Sequence, residues 1–125
     1  MLVSRDLESW REANNTICLD FDGVIHKYSQ GWQGGNLYDE PIDGAIESIC
    51  ELCQAGYKLV ILTARCEKHN EILDWFKDEA AKRGLCNCRK VNCPEVTNIK
   101  PPARVYIDDR GIRFTNWNDI LSYFL

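Results

Sequence analysis

Residues 57–63, Tyr-Lys-Leu-Val-Ile-Leu-Thr, are the stretch on which the fold turns. Apart from Lys58 the run is apolar up to its closing threonine and shows no polar-apolar alternation. That is the pattern of a strand covered on both faces, as in a parallel sheet clothed by helices. Working outward, helical patterns bracket it. On the amino-terminal side Ile46, Ile49, Cys50 and Cys53 make one apolar stripe, with Asp43 as the predicted N-cap after Pro41 and Gly56 as the stop. On the other side 67–83 repeats the pattern through Ile72, Leu73, Phe76 and Ala80, and Gly84 ends it. Farther out, 16–21 (TICLDF) and 104–107 (RVYI) read as strands, and a short strand is predicted at 89–92. Helices are predicted over 4–13, using Leu7 and Trp10, and over 116–124. Residues 24–40 contain Gly31, Gly34 and Gly35 and have no helical period, so they read as a long turn or hairpin excursion. The expected architecture is a single α/β domain over 1–125, a Rossmann-like three-layer sandwich on a mostly parallel sheet.

Composition narrows the function. At 125 residues the chain suits one core and has no room for a second. With 45% hydrophobic and 27% charged residues it is not a disordered chain. Apolar runs such as 59–62 are too short to span a bilayer. Asp6, Glu8, Arg11 and Glu12 interrupt any amino-terminal export signal, so a cytoplasmic protein is expected. The net charge of −4 argues against strong nucleic-acid binding. A small anionic substrate stays compatible with it, since a bound divalent cation reverses the local field. Without an export signal the seven cysteines read as reduced thiols. Cys18, Cys50 and Cys53 fall in apolar patterns and are assigned to the core. Cys86, Cys88 and Cys93, with Cys66 as a candidate fourth, do not repeat a CxxC pair and are read as unliganded rather than as a zinc site.

Ligands of open parallel sheets bind beyond the carboxyl ends of the strands. Here those ends read Asp20-Phe21-Asp22, Thr63-Ala64-Arg65 and Asp108-Asp109. One rim therefore receives four carboxylates, a hydroxyl and a guanidinium. Two carboxylates about 4 Å apart repel by roughly 4 kcal/mol at an effective dielectric near 20. Such a cluster needs protons or a cation, and a hard, oxygen-liganded ion such as Mg2+ matches the donors. A single aspartate after a strand would be an ordinary cap or turn residue. Two paired endings on neighbouring strands point to chemistry.

These residues carry a resemblance. Asp20-Phe21-Asp22-Gly23-Val24, Leu62-Thr63, Lys100 and Asp108-Asp109 stand in the order of the four motifs of the haloacid dehalogenase-like (HAD-like) hydrolase superfamily, which the chain resembles over about 16–114. It looks like the small phosphatase-like members without a separate cap domain, since neither gap between motifs is long enough to hold one. The resemblance implies a magnesium-dependent phosphohydrolase that cleaves a phosphate monoester through an aspartyl-phosphate. Asp20 would be the nucleophile and Asp22 the acid and base. Thr63 would hydrogen-bond a phosphoryl oxygen and Lys100 would stabilise its charge. Gly23 would let the chain turn sharply and its backbone approach the phosphate, and Ala64 is a further expected substrate-binding residue. The metal would be held by Asp20, the Asp22 carbonyl and the acidic pair, with Asp109 preferred over Asp108 as the direct ligand.

Without a cap, the loop from His26 to Asn36 becomes the expected substrate selector. Arg65 and His26 are candidate phosphate or leaving-group contacts, each set against an ordinary structural role. Trp32 is either a stacking platform for a base or sugar or, the reading favoured on sequence alone, an anchor of its loop. An open site also leaves room for bulky substrates or for closure by oligomerisation. The alternatives are a nucleotide or nucleic-acid-end phosphatase, and a non-catalytic HAD-like binding or regulatory module.

Overall fold

A computed structural model describes residues 10–65, 67–85 and 94–125. Its strands are β1 (Thr16–Asp20), β2 (Lys58–Leu62), β3 (Glu95–Thr97) and β4 (Val105–Ile107). Its helices are α1 (Ala45–Gln54), α2 (His69–Lys82) and α3 (Trp117–Ser122). The strands form one sheet in the order β3-β2-β1-β4, and every pairing is parallel. The expected α/β architecture is therefore present. Chain order runs from β1 outward through β2 to β3, then returns across β1 to β4. Strand order thus reverses beside β1, and the crevice at the carboxyl ends of β1 and β4 is the switch point where ligands of such sheets bind.

The apolar run that announced β2 is the middle of the core. Leu59, Val60 and Ile61 are all at most 1% exposed, and Ile61 pairs with Leu19 of β1 and Val96 of β3. The α1 stripe of Ile46, Ile49, Cys50 and Cys53 is buried, as is the α2 stripe at Ile72, Phe76 and Ala80. Burying each of the isoleucine and phenylalanine side chains contributes roughly 1.5–3 kcal/mol. Gly56 (φ 102°) and Gly84 (φ 64°) end the two helices in left-handed conformations, as predicted.

Several expectations are corrected. Helix α1 is capped by Gly44 in the left-handed region (φ 82°), with no side-chain capping bond, so Asp43 is not its N-cap. The third strand is Glu95–Thr97; the predicted strand at 89–92 lies outside the described residues. Of the predicted amino-terminal helix, residues 10–14 are helical and 4–9 lie outside the described residues. Cys53 is disulfide-bonded, which corrects the expectation of a reduced thiol there. The Cys66, Cys86, Cys88 and Cys93 readings also lie outside the described residues. No helix among the described residues is long and apolar enough to cross a membrane.

Candidate active site at the carboxyl ends of β1 and β4

Parallel pairing of Leu19 with Ile107 brings the next residues of both strands to the same edge. One carboxylate oxygen from each of Asp20, Asp108 and Asp109 lies within 4.8 Å of the others. Gly23 makes this packing feasible. Its φ is 86°, and a Cβ built on it would lie 2.2 Å from Asp109 Oδ2. The turn that carries Gly23 is held by the Phe21 carbonyl, which accepts from the amides of Ile25 (2.9 Å) and His26 (3.0 Å). Thus a glycine after β1 lets the acid at the end of β4 lie flat against the backbone of the first motif.

Charge crowding is felt at Asp20. Burial pushes its carboxyl above the ordinary range, the Phe21 amide at 2.9 Å pulls it down, and the charges of Asp108, Asp109 and Asp22 push it up again. The net direction is upward, as expected of an acid among acids. Asp20, Asp108 and Asp109 offer three hard oxygen donors that could hold a metal ion, which would relieve their mutual repulsion. Asp108 also accepts the Arg110 amide at 2.6 Å, which fixes the loop after β4.

A cleft of about 400 Å³ opens beside the cluster. Its lining includes Asp20, Thr63, Ala64, Lys100 and Asp108, five of the predicted site residues. Thr63 is buried, and its Oγ1 accepts the Arg65 amide at 3.1 Å, so its own O–H remains available to donate into the cleft. The Lys100 ammonium lies 4.3 Å from the Tyr106 ring centroid, and the Tyr106 hydroxyl donates to the Pro101 carbonyl at 2.6 Å. The cation is thereby held over an aromatic face at the end of a proline-stiffened loop.

Asp22 has different company. Arg65 grips it twice, Nε to Oδ2 and Nη2 to Oδ1, both at 3.0 Å, and His26 Nδ1 lies 2.9 Å from Oδ1. The Asp39 amide must donate to His26 Nε2 (3.1 Å), so the ring proton belongs on Nδ1 and points at Asp22. Burial works to raise the Asp22 carboxyl, but the His26 and Arg65 hydrogen bonds overcome it and hold it below the usual range. Adjacent acids, two residues apart, are driven in opposite directions. His26 and Arg65 are only 0% and 3% exposed; both donate to Asp22, and Arg65 donates as well to the Asn36 carbonyl. They orient Asp22, and Arg65 ties the 24–40 loop to it through the Asn36 carbonyl.

Trp32 is 61% exposed, and its ring centroid lies 5.2 Å from the Arg65 Cζ. Sequence reasoning missed Cys18, Asn98 and Tyr106, which line the cleft. A signal was available: residues two apart on a strand share a face, which groups Cys18 with Asp20 and Tyr106 with Asp108.

No protein-family model and no curated protein matches the chain. Among solved structures, a conserved protein from Bacteroides thetaiotaomicron is similar at 25% identity over 84% of each chain, with a TM-score of 0.40. That likeness is too loose to carry a functional assignment.

Proposed function

We propose that the chain is a magnesium-dependent phosphohydrolase of the HAD-like kind, acting on phosphate monoesters. The observation that carries this reading is the convergence of Asp20, Asp108 and Asp109 from two adjacent parallel strands on one edge, beside a cleft also lined by Thr63 and Lys100. The order of the four motifs along the chain supports it. A magnesium ion held by the three acids would neutralise charge on the cluster and on the incoming phosphoryl group.

The residues then divide the work. Asp20 attacks phosphorus, the bond to the ester oxygen breaks, and an aspartyl-phosphate forms. Thr63 donates to a phosphoryl oxygen, and Lys100 offsets the charge gathering there. Asp22 draws a proton from the water that hydrolyses the intermediate, a base role that its bonds to Arg65 and His26 favour. Its other role, protonating the leaving oxygen, runs against those bonds. Esters with good leaving groups, which need little protonation, suit this arrangement best.

The test is hydrolysis of an aryl phosphate with and without magnesium. Turnover should require the ion, and Asp20→Asn should abolish it while leaving the circular dichroism spectrum unchanged. If Asp20→Asn turns over at the parent rate, the nucleophile assignment fails. Magnesium binding with no hydrolysis of any monoester would favour a non-catalytic binding module instead.

A further inference from the structure

The carboxyl-terminal segment after β4 is built like an arm. Helix α3 and the turn after it carry Trp117, Ile120, Leu121 and Phe124 at i, i+3, i+4 and i+7, one apolar stripe, yet none of these residues is buried. Trp117 is 69% exposed, Leu121 48% and Phe124 73%. Among the described residues, the hydrogen bonds of 108–125 all stay inside that segment. They run from the Arg110 amide on Asp108 to the Asn116 side chain, which accepts the Asp119 amide, and on through the helix. Phe114 and Trp117 pack edge to face, with ring centroids 5.6 Å apart. The arm is ordered within itself and leaves its apolar side in water, and exposed apolar patches of this kind mark interaction surfaces.

The same chain carries an open groove that the arm does not fill. Its volume is about 190 Å³, and Leu19, Val24, Ile25, Leu52 and Ile107 line it; among the described residues of its lining, Ser48 alone is polar. An apolar cavity of about 150 Å³ accepts a benzene ring, so this groove can seat an aromatic side chain. Leu19 faces away from Cys18 and Asp20, so the groove opens on the opposite face of β1 from the acidic cleft. Ile107, at the root of the arm, lines the groove, but the stripe does not. We infer that the arm of one copy lies in this groove of a second copy, and reciprocally, so that the chain is a dimer closed by arm exchange. Area, charge and reach favour a second copy as the occupant. Phe114, Trp117 and Phe124 are 59–73% exposed. At about 150–250 Å² for a whole aromatic side chain, covering them removes about 300–500 Å² from each arm. Each copy yields a comparable groove surface, so two crossings bury about 1,200–2,000 Å², the size of a stable interface, and one crossing about half of that. The stem of the arm carries Arg110 and Arg113, while α1 beside Ser48 carries Glu47 and Glu51. Glu47 already pairs with Arg83 at 2.9 Å; Arg110, Arg113 and Glu51 enter no ion pair among the described residues. Residues 110–116 extend to about 25 Å at most, enough to cross to a neighbour. Reciprocal exchange covers both surfaces at once and closes on itself, as a two-fold dimer does.

Sedimentation velocity of the full chain over a range of concentrations is the test. The parent should sediment at twice the chain mass. Leu121→Lys puts a charge into the stripe, and Ser48→Arg obstructs the groove; both positions are exposed, so circular dichroism should stay that of the parent. Either change is present at both crossings. At about 30-fold or more for a hot-spot residue, each should raise the dimer dissociation constant on the order of 1,000-fold. Mixing the two variants then separates arm exchange from any other dimer. The Leu121→Lys chain keeps an intact groove and the Ser48→Arg chain an intact arm, so one crossing can re-form. The mixture should associate at concentrations where neither variant does alone, though more weakly than the parent. A parent that stays monomeric would overturn the inference, since the arm would then serve its own groove or a different partner. A dimer that either variant leaves intact, or a mixture no more associated than its components, would overturn it as well. The inference does not depend on the phosphohydrolase reading.

Discussion

Replacing Gly23 by alanine should disable the acidic cluster without touching any acid. Two costs follow from the structure. The residue has φ 86°, and holding an L-residue in the left-handed region costs about 1–2 kcal/mol. For 125 residues the unfolding entropy is on the order of 0.26 kcal/mol/K, so this cost lowers Tm by about 4–8 °C. The second cost is local: the new Cβ would lie 2.2 Å from Asp109 Oδ2, and the carboxylate must retreat by about 1 Å to reach ordinary contact at 3.4 Å or more. Misplacement of a catalytic group by about 1 Å costs on the order of 100-fold in rate. The assay pairs thermal unfolding with calorimetric titration of magnesium, which reads the cluster whether or not a substrate is known. Gly111→Ala is the control, because its backbone is not left-handed and the nearest atom to its added Cβ is Asp108 Cβ at 3.9 Å. A Gly23→Ala protein that binds magnesium as the parent does would refute the placement of Asp109 against the first motif.

Two further outcomes are expected. Arg65→Met should destabilise the fold by about 2–4 kcal/mol in urea titrations, because it leaves a partly buried carboxylate with one of its two partners gone; Arg65→Lys should recover part of that loss, and an unchanged midpoint for Arg65→Met would contradict the pairing. Acid should loosen the loop end of the site. The hydrogen bonds from the Ser29 hydroxyl and amide hold the Asp39 carboxyl down to about 2, so its stabilising contribution is present above the unfolded value of about 3.9 and lost as pH falls toward 2. Asp22, also lowered, adds to the slope in the same direction. Urea midpoints measured from pH 6 down to 2 should therefore fall less steeply for Asp39→Asn than for the parent, and parallel profiles would remove Asp39 from the account.

Much of the fold was legible along the chain because its signals are local. The buried run at 57–63 needs both faces covered, and the stripes of α1 and α2 fall at helical spacing, so periodicity alone declares them. β3 was not legible. Three residues, Glu95–Thr97, are too few to show a period, and their pairing with β2 defines them as a strand. The cap of α1 was missed for a related reason: Asp43 has the favoured side chain, but the chain reaches the helix through a left-handed glycine.

By itself the sequence determined which residues end the strands, and hence that acids, a hydroxyl and a lysine gather at one rim, because parallel strands all point their carboxyl ends the same way. Only the tertiary structure decided how those groups divide. Asp20 joins Asp108 and Asp109 across the β1–β4 crevice, while Asp22 is claimed by Arg65 and His26, residues 43 and 4 positions away. Contacts of that kind depend on which strand lies beside which and on the close approach that Gly23 permits, and neither leaves a mark in the spacing of residues along the chain.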